Sequence, residues 1–342
     1  MTQTKVLIIS LGDLKHAIYT LPLVQALKQN DYRVEYLTSE KGFEIVNKNS
    51  LIDRVHLAPV EQWLKKMPYM GIFDEFSKTI EKITKQNLDI VIDCEQSIRS
   101  TFFMLNCGIP RRLSYSNATG FSSLGANEII DKKSSLHNRN IHKVESNLNF
   151  SKYLGLSTDN LGFTLADTAY PARLKMEKFI KFPQENPIIV LAPDLSQQKL
   201  AWHPKNWINL VSNISTKYNI LIVGTALENS LANKMSHKNL CNICGTTNYQ
   251  DLRYVLSLAD VVVSDNLETS AIAWASNNKK VITLSTNIDP KLYNPYNLGG
   301  NNKYISLAGN LSCQFCNKNH CEHSTYKCSH SPSIEAVLNA IR

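Results

Sequence analysis

Lys5-Val6-Leu7-Ile8-Ile9-Ser10-Leu11-Gly12-Asp13-Leu14-Lys15-His16 stands near the start of the chain. An unbroken apolar run of this length is strand-sized, and its lack of alternation marks a strand buried on both faces. A Gly-Asp turn follows, and residues 14–29 read as a helix. Residues 33–37 return to strand, 73–85 to helix and 89–93 to strand. This alternation predicts a parallel sheet with helices on both faces. One glycine in the first turn is too few for a dinucleotide fingerprint, which needs three.

The rhythm lapses over residues 111–140, which are rich in Ser, Asn, Gly and Arg and read as long loops. Helix returns at 143–154. Pro171, Pro183 and Pro187 surround one short helical pattern at 173–180, read as an interdomain connection. The alternation then restarts, with strands at 187–191, 219–224, 239–244, 261–264 and 280–284 and helices between them. Two doubly wound halves facing a central cleft are therefore expected. The boundaries are 1–170, a linker at 171–186, 187–310, and a Cys-rich tail with a final helix at 311–342.

The 342 residues suit two domains, and 43% hydrophobic with 19% charged residues excludes wholesale disorder. No apolar run reaches the ~20 residues of a membrane span. The first apolar run ends at Gly12-Asp13, so no secretory leader is read and a cytoplasmic location is expected. The formal charge of +8 is uneven. Arg99, Arg111, Arg112, Lys132, Lys133, Arg139 and Lys143 face only Glu128 and Asp131 across one stretch. That stretch is either a solvated face or a docking surface for an anionic partner: phosphates, acidic sugars or a membrane. No motif for nucleic acid accompanies it.

Several residues could carry chemistry. Asp13 sits at a strand-to-helix junction, where it is either a helix N-cap or a general base for a hydroxyl proton. His16 lies one turn further along. The second half opens with a polar loop, Ala192 to Trp207, in which Ser196 and Lys199 suit a phosphate; the alternative is a surface loop over a tryptophan core. Asp265 closes a later strand, and Thr269 and Ser270 open the next helix, as caps or as diphosphate ligands. Asp289-Pro290 and Tyr293-Asn294-Pro295-Tyr296 are turn signals that could line a nucleotide pocket. Arg111 and Arg112 follow a turn in the first half and are assigned, with His16, to an anionic acceptor. In the tail, Cys313, Cys316, Cys321 and Cys328 match a four-coordinate metal knot, favoured over disulfides in a reducing compartment. Cys241 and Cys244 read as packing.

Taken together, these residues resemble glycosyltransferase family 9, the bacterial heptosyltransferases. Gly12-Asp13 with His16 and Leu21-Pro22 is similar to the family's N-terminal motif. So are Cys107-Gly108-Ile109-Pro110-Arg111-Arg112, His142-x-Val144-Glu145, Pro193…Lys199…Trp202-x-Pro204…Trp207, Gly245-x-Thr247…Asp251-Leu252, and Ala259-Asp260 through Asp265. The resemblance implies a GT-B fold, two Rossmann-like domains, and inverting transfer without a catalytic metal. It implies ADP-heptose as donor and the lipopolysaccharide inner core, an anionic lipid-linked glycan, as acceptor, with peripheral contact at the cytoplasmic face of the inner membrane. A protein-modifying branch heptosylates autotransporters and holds iron on four tail cysteines, so structural zinc or iron is expected here. A non-catalytic sugar-nucleotide or glycan-binding relative is the other alternative. By the same resemblance Asp13 is the base, Lys199 the phosphate ligand and Asp265 a donor-sugar or phosphate-loop residue. The chain departs from the family where Asp-Thr-Gly-x-x-His is replaced by Asp265-Asn266-Leu267-Glu268-Thr269-Ser270. Lys199 also precedes Trp202 by three residues instead of two, and Ser146 replaces an Arg.

Overall fold

The computed structural model describes residues 3–58, 60–61, 71–115, 124–130, 141–168, 170–183, 185–276, 278–293, 296, 303–316, 318 and 320–342. Of the residues singled out above, Asp131, Lys132, Lys133, Arg139, Asn294 and Pro295 lie outside the described set. The chain divides into two compact units, Met1–Asp167 and Thr168–Arg342.

The first unit is built on β1 (Lys5–Ser10), β2 (Arg33–Thr38), β3 (Arg54–Leu57), β4 (Ile90–Asp93), β5 (Arg111–Tyr115) and β6 (Glu128–Ile130). Its helices are α1 (Leu14–Gln29), α2 (Glu40–Val46), α3 (Gly71–Thr84), α4 (Ile98–Asn106) and α5 (Lys143–Tyr153). All strand pairs are parallel, in the order β3-β2-β1-β4-β5-β6. Five of the six β1 residues are buried, as a strand covered on both faces requires. Leu7, Ile9 and Leu37 form one core with Val91, Phe103 and Met104. Each such apolar side chain contributes about 1.5–3 kcal/mol by leaving water.

The second unit holds β7 (Ile188–Ala192), β8 (Asn219–Ile222), β9 (Leu240–Asn242), β10 (Val261–Ser264), β11 (Lys280–Ser285) and β12 (Lys303–Ala308). Its helices are α6 (Tyr170–Phe179), α7 (Pro204–Ile214), α8 (Ala226–Ala232), α9 (Tyr249–Ser257), α10 (Leu267–Ala275), α11 (Pro290–Tyr293) and α12 (Ile334–Ile341). The sheet order is β12-β11-β10-β7-β8-β9, again all parallel. Trp202 and Trp207 are fully buried in its core, where Val337 and Ile341 of α12 join them. Helix α6 falls in the segment read as a connection. It packs on α9, where Lys175 pairs with the buried Asp251 and donates to the Thr246 carbonyl at 2.7 Å.

Each sheet has the same doubly wound order, so each unit is Rossmann-like and the pair of units is that of a GT-B fold. The winding reverses between β1 and β4 in the first unit and between β7 and β10 in the second. Ligands of such sheets bind beyond the strand carboxyl ends at those two points.

Residues 111–140 do not form one long loop. Arg111–Tyr115 and Glu128–Ile130 are strands, with Leu113 paired to Ile92 and to Glu128. Their sequences carry too few apolar residues to signal a strand locally. The neighbouring strand supplies the pairing instead.

Candidate active site

In the first unit, Leu11 and Gly12 carry the chain from β1 into α1, and Asp13 stands at the carboxyl end of the sheet. Its backbone is the N-cap of α1, with φ −78° and ψ −179°, and its carbonyl accepts from the amides of His16 (3.1 Å) and Ala17 (3.4 Å). Its side chain caps nothing. The carboxylate instead meets Lys15 on Oδ2 and His16 on Oδ1, with His16 Nδ1 at 2.7 Å. Burial, the largest single influence, pushes the carboxyl up. The contacts with His16 and Lys15 together outweigh it and hold the group well below the usual carboxylate range. Asp13 is therefore ionised at neutral pH and is turned away from the helix amides that a capping aspartate would satisfy.

Gly12 makes room for this pair. A β-carbon there would stand 2.7 Å from His16 Nδ1 and 3.0 Å from its Cγ. Gly12→Ala is expected to displace the imidazole and lower turnover up to about 10²-fold, the scale of a ~1 Å misplacement. Steady-state rates with unchanged nucleotide affinity check this; a wild-type rate rejects it.

The imidazole is bounded by the buried Tyr19, whose ring lies edge-on to His16 at 6.3 Å and to His142 at 5.8 Å. His142 caps α5 by accepting the Val144 amide at Nδ1 (3.1 Å). Beside it, burial lowers the Lys143 ammonium to about 8. From the end of β4, Glu95 accepts the Leu11 amide at 3.1 Å, and Arg99 lies 3.7 Å from Glu95. Asp93 is fully buried and is pushed to about 6 by desolvation, against the pull of hydrogen bonds that include the Gln96 and Glu95 amides and the Ser114 hydroxyl. Sequence reasoning missed Tyr19 and Glu95. No local spacing ties either to Asp13.

Arg111 and Arg112 are not brought to this edge. They begin β5, opposite the start of β4, and so lie at the amino end of the sheet. Arg111 makes a two-pronged pair with Glu128 at 2.7 and 2.9 Å. Arg112 donates to the carbonyls of Gly125 (2.7 Å) and Ile109 (3.1 Å).

In the second unit, Asp265 follows β10 and binds the loop after β7. Its Oδ1 accepts the Asp194 amide at 2.7 Å and its Oδ2 the Trp202 amide at 2.8 Å. Desolvation pushes its carboxyl up to about 7, aided by the nearby Asp194 carboxylate and opposed by the two amides. Asp194 accepts the amide (3.1 Å) and the hydroxyl of Ser196 on one oxygen and Asn266 Nδ2 (3.1 Å) on the other. The buried Glu228 takes the Leu195 amide at 2.9 Å. The amides and hydroxyl that the sequence offered to a phosphate at 194–196 are therefore bound by carboxylates. Asp265 ties the loop together through both its oxygens.

Two groups in this unit remain suited to an anion. Asn266 caps α10 at the Thr269 amide (2.8 Å), and one residue on, the Ser270 hydroxyl is buried without a partner among the described residues. Lys199 is exposed, with its ammonium 5.3 Å from the centre of the Tyr326 ring.

The tail corrects the metal expectation. Cys313 is exposed, while Cys316, Cys321 and Cys328 are partly buried, and all four are free thiols. Among the described residues no three or more Cys, His, Asp or Glu side chains converge to hold a metal ion. Burial first, then Cys316, Cys321 and Cys313, push the Cys328 thiol up, but the four do not close into a knot. The tail is tied to the rest of the second unit. Gln314 donates to the carbonyls of Ser285 (3.2 Å) and Thr286 (3.0 Å), and Asn287 to that of Lys318 (3.1 Å). The His203 amide donates to Ser329 (2.8 Å) and Trp202 Nε1 to Pro332 (2.8 Å). Zinc or iron is therefore not assigned to these cysteines. Among the described residues no helix is long and apolar enough to cross a membrane.

Comparison with known proteins bears on both units. Residues 76–327 match the model of "Glycosyltransferase family 9 (heptosyltransferase)". E. coli heptosyltransferase WaaC with ADP is 19% identical, with 99% of each chain covered and a TM-score of 0.74. A family 9 glycosyl transferase from Veillonella parvula is 15% identical over 89% of this chain and 85% of that one, with a TM-score of 0.74. E. coli ADP-heptose lps heptosyltransferase II is 12% identical over 99% and 97%, with a TM-score of 0.71. No curated protein matches.

Proposed function

The chain belongs to glycosyltransferase family 9 and is a glycosyltransferase using a nucleotide-sugar donor; from that premise we propose that it moves heptose from ADP-heptose to a hydroxyl of an anionic, lipid-linked glycan such as the lipopolysaccharide inner core. The observation that carries this reading is Asp13: an ionised carboxylate at the carboxyl end of β1, engaged by His16 and Lys15 and free of capping duty. In this reading the acceptor hydroxyl attacks the anomeric carbon, the diphosphate leaves, and the Asp13–His16 pair takes the proton. Arg99 and Lys143, on the same edge as Asp13, attract the anionic acceptor; Arg111 and Arg112, at the amino end of the sheet, are not given that role.

On the second unit Lys199 and the start of α10, with Thr269 and Ser270, hold the diphosphate. Asp265 and Asp194, with Ser196, shape the loop that presents Lys199. Catalysis needs no metal in this scheme, and the protein works in the cytoplasm, at the inner face of the membrane that displays the acceptor. A glycan acceptor is preferred to an autotransporter because the tail cysteines that suggested the protein-modifying branch do not form a metal site.

The test supplies ADP-heptose with heptose-free lipopolysaccharide core and, in parallel, with autotransporter protein. ADP release and a mass gain of one heptosyl unit on the glycan are expected. Gain on the protein alone replaces the acceptor, and no gain on either leaves a binding protein. Lys199→Ala is expected to raise the donor KM about 10–100-fold, the scale of a charge-assisted hydrogen bond. An unchanged donor KM places the diphosphate elsewhere.

A further inference from the structure

We propose that His16, through Nε2, is the base that receives the acceptor proton, with Asp13 holding the imidazole from its Nδ1 side. The proposal rests on the transfer reading above and identifies the accepting atom. Four observations point to it.

Both oxygens of Asp13 are already engaged, one by Lys15 and one by His16. A hydroxyl approaching the carboxylate must displace a cation or an imidazole. His16, by contrast, is 42% exposed, and its Nε2 has no partner among the described residues. The ring is also held in place. Tyr19 lies edge-on against it, His142 backs Tyr19, and the missing β-carbon of Gly12 leaves the ring its position. Finally, the chemistry favours imidazole. A carboxylate held far below its usual range is ionised but is a weak proton acceptor, whereas imidazole is matched to neutral pH. A carboxylate 2.7 Å from Nδ1 stabilises the imidazolium that forms.

The step balances without any further reactant. The acceptor O–H proton passes to Nε2 as its oxygen forms the bond to the anomeric carbon. The bond from that carbon to the diphosphate breaks, and its electron pair stays on the diphosphate oxygen. The imidazolium then returns its proton to water. The charged and titratable groups on its own segment are Asp13 at the N-cap and Lys15 and Tyr19 on α1; from neighbouring elements, His142 and Lys143 stand at the head of α5, where His142 meets Tyr19, and the Glu95–Arg99 pair follows β4, where Glu95 holds the Leu11 amide.

The experiment measures kcat of the full chain against pH at saturating ADP-heptose and acceptor, for wild type, His16→Ala and His16→Gln. Wild type is expected to lose kcat on acidification along a one-proton limb. His16→Ala should lower kcat about 10²–10⁴-fold with donor KM unchanged, and the limb should vanish. Added imidazole should restore part of the rate to His16→Ala. His16→Gln, which keeps a polar side chain but no base, should be as slow as His16→Ala. A limb that persists unchanged in His16→Ala overturns the proposal, as does a variant whose only change is a higher acceptor KM. Absence of any turnover by wild type overturns the transfer reading and this role with it.

Discussion

Replacing Asp13 by asparagine is expected to lower transfer about 10²–10⁴-fold while leaving ADP binding unchanged. Asparagine keeps the shape but loses the charge that holds Lys15 and His16 in contact with Oδ2 and Oδ1. Its amide can also turn N–H toward His16 Nδ1, favouring the tautomer that blocks Nε2. Fold stability should fall modestly, because the ionised carboxylate that Lys15 and His16 stabilise is lost, although no cap of α1 is. ADP affinity by calorimetry separates chemistry from donor binding, since the donor is assigned to the second unit. A variant with the wild-type rate would remove Asp13 from the mechanism. The pH sense follows from the direction of the shift. The Asp13 carboxyl is depressed, so its contribution is present through neutral pH and is lost only as strong acid protonates it. Loss of kcat between pH 5 and 7 therefore belongs to another group.

The second large effect is expected at Asp265. Asp265→Asn should raise the donor KM about 10–100-fold with a smaller effect on kcat. The carboxylate accepts two backbone amides, from Asp194 and Trp202. Asparagine can accept only one and must point its own N–H at the other. A buried donor left without a partner costs about 1–3 kcal/mol. The cost loosens the loop that carries Lys199. Wild type should mimic this partly as pH falls through about 7, where the Asp265 carboxyl protonates and one oxygen becomes a poor acceptor. The donor KM should then rise on acidification in wild type and stay flat in Asp265→Asn. A parallel rise in both proteins rejects the role. Global stability runs the other way. A raised carboxyl favours the folded state while protonated, and that advantage is lost as pH rises through about 7. Because this effect appears in KM and the His16 limb in kcat at saturation, the two titrations can be told apart.

Much of this was legible in the sequence, and the reason lies in distance along the chain. A buried parallel strand is written as a local apolar run, so 5–10, 188–191 and 261–264 could be read without partners. The missed strands, Arg54–Leu57, Arg111–Tyr115, Glu128–Ile130 and Lys303–Ala308, carry weak local signals and form because a neighbour offers a ladder. Trp207 was readable as core from its helical spacing to Leu210 and Val211. Asp13 was legible as a residue at a strand-to-helix turn, but its spacing suited a cap as well as a base.

By itself, then, the sequence determined two doubly wound halves and the placing of Asp13 and Asp265 after strands, because both follow from patterns a few residues long. Tertiary structure alone decided what those side chains do. Asp13 turns from its helix toward Lys15 and His16. Asp265 takes amides 71 and 63 residues away. Arg111 and Arg112 fall at the opposite end of the sheet from Asp13 because a parallel neighbour sets their register. The four tail cysteines, spaced like a metal knot, do not converge into a metal-holding group among the described residues, and the tail is tied to the domain by long-range contacts such as that of Trp202 with Pro332, 130 residues distant. Spacing along a chain sets which residues can meet. The long-range hydrogen bonds, formed after the loop entropy has been overcome, set which of them do.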